Sequence, residues 1–268
     1  MDTAAFSLSP AQFAARLGRA DTPWVLDVRR PPAFAESPRL LPTARYCAPE
    51  DVAAFAAHHS PREVLVVCVH GHDVSQTAAA TLRAAGWHTH YLQGGMATAP
   101  ATIAKRPDLG VDGTTPSCWI TRERPKIDRI ACPWLVLRFI DAQARFVYVP
   151  TPQVLAEAER LQAVAYDIPG APISHDGPLC SFDTLLHAFD LHLPALDLLA
   201  TIVRGADTDQ LDLAAQSAGL LAMSLGMSRL HASDDHAMLA AMLPVYDALY
   251  AWCGDRIAAT DERHNWKP

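Results

Sequence analysis

The stretch EVLVVCVHGHDVSQTAAATLRAAGW (63–87) constrains the fold of this chain more than any other. Residues 63–69 form an apolar run short enough to be a central strand, and they deliver Cys68 near its carboxyl end. A short Gly-containing loop follows, and a helical pattern over 75–85 ends at Gly86. WVLDV (24–28) and HTHYL (88–92) read as two further strands, and helical patterns follow Pro10 and Pro49. Strands alternating with helices predict an α/β domain with a parallel-rich sheet and helices on both faces.

Beyond residue 117 the pattern changes. Short strands are expected at 118–121, 145–149 and 164–167. Helices are expected at 133–141, 153–161, 182–189, 194–203, 211–225 and 234–253, with Pro244 kinking or splitting the last. The second half is therefore expected to be mainly α. Residues 98–117, with Pro100, Pro107 and Pro116, read as a linker. The predicted organisation is a domain over 1–100, a linker over 101–117 and a second domain over 118–268, in keeping with a length of 268 residues.

A hydrophobic content of 50% with 19% charged residues supports full cores and argues against disorder. Charges, Pro or His interrupt every apolar run before the ~20 residues of a membrane span, and the opening MDTAAFSLSP has neither the basic start nor the apolar run of a signal peptide. No membrane association and a cytoplasmic location are the expectations. The six cysteines are too sparse for a disulfide scaffold and form no CxxC pair, so they read as reduced thiols. The formal charge of −7 is uneven, since residues 111–268 hold 12 Lys/Arg against 20 Asp/Glu. Such a domain repels phosphate backbones, and nucleic-acid binding is not expected.

Cys68 carries the clearest chemical signal. Ligands of open α/β sheets bind at the carboxyl ends of parallel strands, where loop N–H groups and a helix N-terminus make a positive cradle. A cradle of Val69, His70, Gly71, His72, Asp73, Val74 and Ser75 would favour an anionic sulfur or a persulfide. His70 and His72 would add charge or hydrogen bonds, and Gly71 would permit the tight turn. The bland alternative is a buried structural cysteine at a strand end.

LDVR (26–29), the CxxG loop, AAGW (84–87) and YLQGGM (91–96) resemble, in order and spacing, a rhodanese-like sulfurtransferase domain over about the first 100 residues. That resemblance implies Cys68 as the nucleophile accepting a sulfane sulfur, the 69–75 amides as its persulfide cradle, no cofactor, and Asp27 and Arg29 stabilising the loop region. Arg29 is a candidate substrate contact, although an ordinary strand-end ion pair with Asp27 has more weight. The family often closes this loop with a basic residue followed by Ser, whereas Asp73-Val74 precede Ser75 here. An acidic Asp73 at the cradle favours persulfide chemistry over thiosulfate cleavage. Phosphatases and arsenate reductases of related fold close the loop with an Arg that this chain lacks.

In the second half, Arg122, Arg124, Lys126 and Arg129 form a basic patch that would suit an oxyanion, or a solvated turn before a helix. His175, Asp183, Asp207, Asp235 and His236 are ligand types that a metal selects, although SFD (181–183) and SDD (233–235) also read as helix caps. His175, Asp207 and His236 are expected to approach one another around a metal ion or an oxyanion, with the Arg122–Arg129 segment nearby. TRERPKIDRIACPWL, FVYVP, YDIPG, SHDGPLCSFDTLL, IVRGADTD and DDHAM…YDALYAW are similar to the chromate-resistance ChrB C-terminal domain over 118–255. That resemblance implies a link with chromate resistance and assigns no catalytic residue. The combined expectation is a sulfurtransferase acting through a Cys68 persulfide, with a sulfane-sulfur donor, a thiol or cyanide acceptor and an oxyanion such as chromate as its partners. The competing expectation is a non-enzymatic chromate or redox sensor.

Overall fold

The computed structural model describes residues 6–260. The chain forms two compact units, Met1–Ser117 with Val136–Ala144, and Cys118–Leu135 with Arg145–Pro268.

The first unit contains β1 (Ser7–Leu8), α1 (Pro10–Ala14), β2 (Trp24–Asp27), α2 (Pro31–Glu36), β3 (Arg39–Leu40), β4 (Arg45–Tyr46), α3 (Val52–His58), β5 (Glu63–Val67), α4 (Asp73–Ala84), β6 (His88–Leu92) and β7 (Ile103–Ala104). Five strands pair in the order β1-β6-β5-β2-β4, and every pairing is parallel. Central β5 reads as an unbroken apolar run because both of its faces are covered. Val64, Val66, Ala78, Ala79, Leu82 and Trp87 belong to one buried cluster, against which Trp24 and Phe55 pack. A fully buried Val or Leu side chain contributes roughly 1.5–3 kcal/mol. Ser9 starts α1 as expected, through a capping box with Gln12.

The stretch expected as a linker belongs to the first unit instead. β7 pairs antiparallel with β3, Lys105 N donates to Pro38 O at 2.8 Å, and the Arg39 guanidinium holds Thr102. Prolines signalled a loop there, but Ile103, Leu109 and Val111 are apolar enough to be buried. Residues 136–144 also group with this unit: Thr43 N donates to Phe139 O, and Asp141 accepts from both N and Oγ of Ser117.

The second unit contains β8 (Cys118–Arg122), α5 (Ile127–Leu135), β9 (Arg145–Val149), α6 (Val154–Leu161), β10 (Val164–Ala165), α7 (Ser181–Ala188), α8 (Pro194–Asp207), α9 (Ser217–Leu230) and α10 (Asp235–Ile257). β8 lies between β10 and β9 in a three-stranded parallel sheet, and α6 packs on it through Val154 and Ala158. α10 packs against α5, α8 and α9.

Three helices differ from expectation, α9 by beginning only at Ser217, after turns over 211–216, and running to Leu230. α5 begins six residues before Pro133 and runs through it. A proline leaves the carbonyl four residues back without its helical donor. That carbonyl, Arg129 O, accepts instead from Tyr166 Oη at 3.3 Å, and a π-helical turn follows at Val136–Ile140. α10 is unbroken through Pro244, whose position is exposed, so the freed Ala240 carbonyl can be solvated. By length and composition alone α10 could cross a membrane, but it buries Met238, Leu239, Met242, Tyr246 and Cys253 within the unit, and its Asp247 accepts from Trp134 Nε1.

Candidate functional site

The sequence-predicted residues fall into two sites. In the first unit, the register aligns Asp27 with Val67 on adjacent parallel strands, so the segments after β2 and after β5 emerge at one sheet edge. Cys68 follows β5 and is buried, its Sγ donating to Ser75 Oγ at 3.2 Å while Ser75 Oγ donates to His72 O at 3.1 Å. The 12-residue helix α4 begins immediately after, at Asp73, with its N-terminal positive pole directed at the loop. Cys68, Val69, His70, His72, Asp73 and Val74 line a cavity of ≈ 260 Å³, closed on the other side by Arg29, Arg30 and Ala33.

Glycines shape the wall behind it. Gly71 has φ +71°, and a Cβ there would come within 2.5 Å of Leu92 O; one on Gly95 would come within 2.3 Å of Cys68 O. The Cys68 loop and the Gly94-Gly95 turn therefore touch backbone to backbone, with Met96 N donating to Cys68 O at 2.9 Å. Gly71 and Ser75 are buried here and support the loop, while His70, His72 and Asp73 are exposed at the mouth.

Arg29 forms the ion pair with Asp27 that has more weight in the sequence. Its Nε and a terminal nitrogen donate to Asp27 at 2.9 and 2.6 Å, and it also donates to Arg39 O, with the pair 3% and 0% exposed. It braces the loop edge and contributes wall. Arg30 was not singled out in the sequence; the signal was the cation pair Arg29-Arg30 directly after a strand. Burial pushes the Cys47 thiol up to about 11 and Cys253 to about 12, and raises Cys132 and Cys180 as well.

The second site lies in the second unit. Asp128 sits in the first turn of α5, Asp167 after β10 at φ 53°, His175 in the loop before α7, and Asp207 at the last residue of α8. His175 Nε2 is 3.1 Å from Asp207 Oδ2, 3.4 Å from Asp167 Oδ1 and 3.5 Å from Asp128 Oδ2. The buried Asp128 carboxylate also accepts from the first N–H groups of α7, Ser181 N at 2.5 Å and Phe182 N at 2.9 Å. Asp207 Oδ1 in turn accepts from Asp128 N at 3.3 Å. Asp167 takes the cations: Arg129 Nε at 3.2 Å and Arg122 at 3.6 Å.

The charges work against one another here. Burial, then Asp128 and Asp167, push Asp207 up to about 7, and burial together with Asp128 raises Asp167. The hydrogen bond to Asp128 leads in raising His175 to about 9.

His175 and Asp207 thus meet, but His236 does not join them. Its ring packs edge-on against Tyr148, with centroids 5.4 Å apart, because it stands in the first turn of α10 over β9. The places expected for it are taken by Asp128 and Asp167. Asp183 caps α7 through Cys180 N and pairs with Arg204, and Asp235 accepts from Arg124 N. Asp128 left one signal in the sequence, an acid between Lys126 and Arg129 in the basic run RERPKIDR.

A second His and acid group, Glu63, His88 and His90, lies in the first unit. Arg16 holds Glu63 there with two hydrogen bonds, 2.5 and 2.7 Å, and places a cation beside it.

The family model for the rhodanese-like domain matches residues 9–98, and that for the ChrB C-terminal domain matches 119–253. Protein ChrB of Cupriavidus metallidurans is 32% identical over 133 residues, 49% of this chain and 39% of that protein, so the chain spans well under half of its relative's length. Among solved structures, a rhodanese homolog from the extremely thermophilic bacterium Thermus thermophilus is 31% identical over 34% of this chain and 98% of its own, with a TM-score of 0.28. A rhodanese-like domain protein from Staphylococcus aureus is 18% identical over 38% and 99%, with a TM-score of 0.33. With its second unit matched almost end to end, the chain belongs to the ChrB C-terminal-domain family and carries a rhodanese-like domain ahead of it.

Proposed function

We propose that the chain is a sulfurtransferase that carries sulfane sulfur on Cys68. The observation that carries this reading is the seat of Cys68, at the carboxyl end of a central parallel strand, on the wall of a cavity and just ahead of the α4 N-terminus. In the first half-reaction the Cys68 thiolate attacks the outer sulfur of a donor R–S–S⁻. The donor S–S bond breaks, R–S⁻ leaves with its electron pair, and a Cys68–S–S⁻ persulfide forms. Loop N–H groups and the α4 N-terminus stabilise its terminal anion. In the second half-reaction a thiolate or cyanide attacks that outer sulfur and releases the Cys68 thiolate. Ser75, as partner of the thiol, orients Sγ.

The ChrB relationship supports chromate stress as the setting, with the sulfur chemistry serving thiol pools in the cytoplasm that an oxidising oxyanion depletes. Asp73, exposed at the mouth, disfavours a doubly charged donor such as thiosulfate and favours singly charged persulfides and hydropolysulfides.

Intact mass spectrometry after incubation with a polysulfide tests the reading. The expected result is one added sulfur per chain, absent in Cys68→Ser. Equal sulfur loading of that variant overturns it. The other buried cysteines should stay unlabelled, because burial keeps them protonated.

A further inference from the structure

We infer that Asp128, His175 and Asp207 form a binding site for one divalent first-row cation in the second unit, with Asp167 beside it. Three observations meet there. The first is convergence: the ligating atoms of these three residues lie within 4.8 Å of one another, although they come from the start of α5, a loop and the end of α8. The second is donor chemistry: an imidazole nitrogen with two carboxylates is a mixed N,O set suited to Mn²⁺, Fe²⁺ or Zn²⁺.

The third is charge balance, which is separate from the convergence. Both guanidinium groups at the site, Arg122 and Arg129, pair with Asp167. Among the described residues, the only basic side chain paired with Asp128 or Asp207 is His175. Two carboxylates, one fully buried and the other with a side chain 19% exposed, thus share a single imidazole. Carboxylates taken out of water at such a separation repel one another, and the one imidazole, even when protonated, offsets a single negative charge of the two.

Capping does not use up the donors. A carboxylate oxygen carries two lone pairs, so Asp128 Oδ2 can serve Ser181 N and an ion together. The caps also act as a supporting shell that fixes the ligands. Asp128 is held by the α7 N-terminus, and Asp207 by Asp128 N. His175, 42% exposed, stands on the solvent side, so the ion would enter past it and keep coordination positions open outward.

The experiment uses the full chain, stripped with EDTA, dialysed, and titrated with MnCl₂ or ZnCl₂ by calorimetry, with bound metal counted by elemental analysis. The expected result is one equivalent per chain, with Kd raised by about 100-fold or more in His175→Ala and in Asp207→Asn. His236→Ala and the double variant His88→Ala/His90→Ala should bind like the unaltered chain. Circular dichroism establishes that each variant is folded, and exposed His175 is the variant least able to disturb the fold. The site is refuted if the unaltered chain binds neither metal, if folded His175→Ala and Asp207→Asn keep full affinity, or if the His88/His90 double variant is the one that loses the equivalent.

Discussion

The Cys68 loop and the Asp128 cluster are built in opposite ways. Cys68, its hydroxyl partner Ser75 and the loop between them lie within eight consecutive residues, held by backbone contact with the Gly94-Gly95 turn. The cluster draws on positions 128, 167, 175 and 207, which only tertiary packing assembles. A contiguous site depends on local conformation, so its weak points are glycines. A dispersed site depends on how helices dock, so its weak points are the charges that join them.

The largest effect is expected at Cys68. Cys68→Ser should reduce sulfur transfer to the uncatalysed background in a cyanide-acceptor assay while leaving the thermal midpoint nearly unchanged. Residual turnover near the original rate would place the nucleophile elsewhere.

Gly71→Ala comes next. The new Cβ would meet two backbone atoms, Leu92 O at 2.5 Å and Gly94 N at 2.7 Å, at a positive φ. Neither atom can rotate away, so a loss of about 3 kcal/mol is expected from chemical denaturation, together with impaired transfer. A variant as stable as the original would mean that the two loops are not locked together.

In the second unit, Asp128→Ala should cost about 2 kcal/mol in the metal-free chain. Two N–H groups of α7 lose a charged acceptor, and relief of repulsion with Asp207 offsets part of that loss. Urea unfolding followed by a tryptophan signal of the second unit measures it. A stabilised variant would show that repulsion exceeds capping.

The smallest effect is expected at Asp73. Replacing this exposed acid with Arg should lower KM for thiosulfate several-fold with kcat little changed, because a charge at the mouth acts on approach and binding. An unchanged or higher KM would place Asp73 away from the donor's path.

The N-terminal half was legible where its signals were local. β2 and β5 coincide with the apolar runs at 24–28 and 63–69, because a strand buried on both faces is apolar nearly throughout, and β6 coincides with the strand expected at 88–92, although its His88 is exposed. The two-residue strands β1, β3, β4 and β7 left no such run, since so few residues carry no period. Residues 101–117 misled through their prolines, which fix backbone angles but do not say whether neighbouring apolar side chains find a core. Pro133 misled in the same way, because the hydroxyl of Tyr166 that supplies the missing donor is 33 positions away.

The sequence by itself determined the α/β character of the first unit, the helical weight of the second, and the placement of Cys68 between a strand and a helix. All three follow from periodicity and turn chemistry within one window of chain. Only the tertiary structure decided that Asp128 and Asp167 stand with His175 and Asp207 while His236 turns to Tyr148. The reason is physical: which carboxylates face one imidazole is set by the docking of α5, α7 and α8, and docking depends on side-chain packing between segments far apart in the chain.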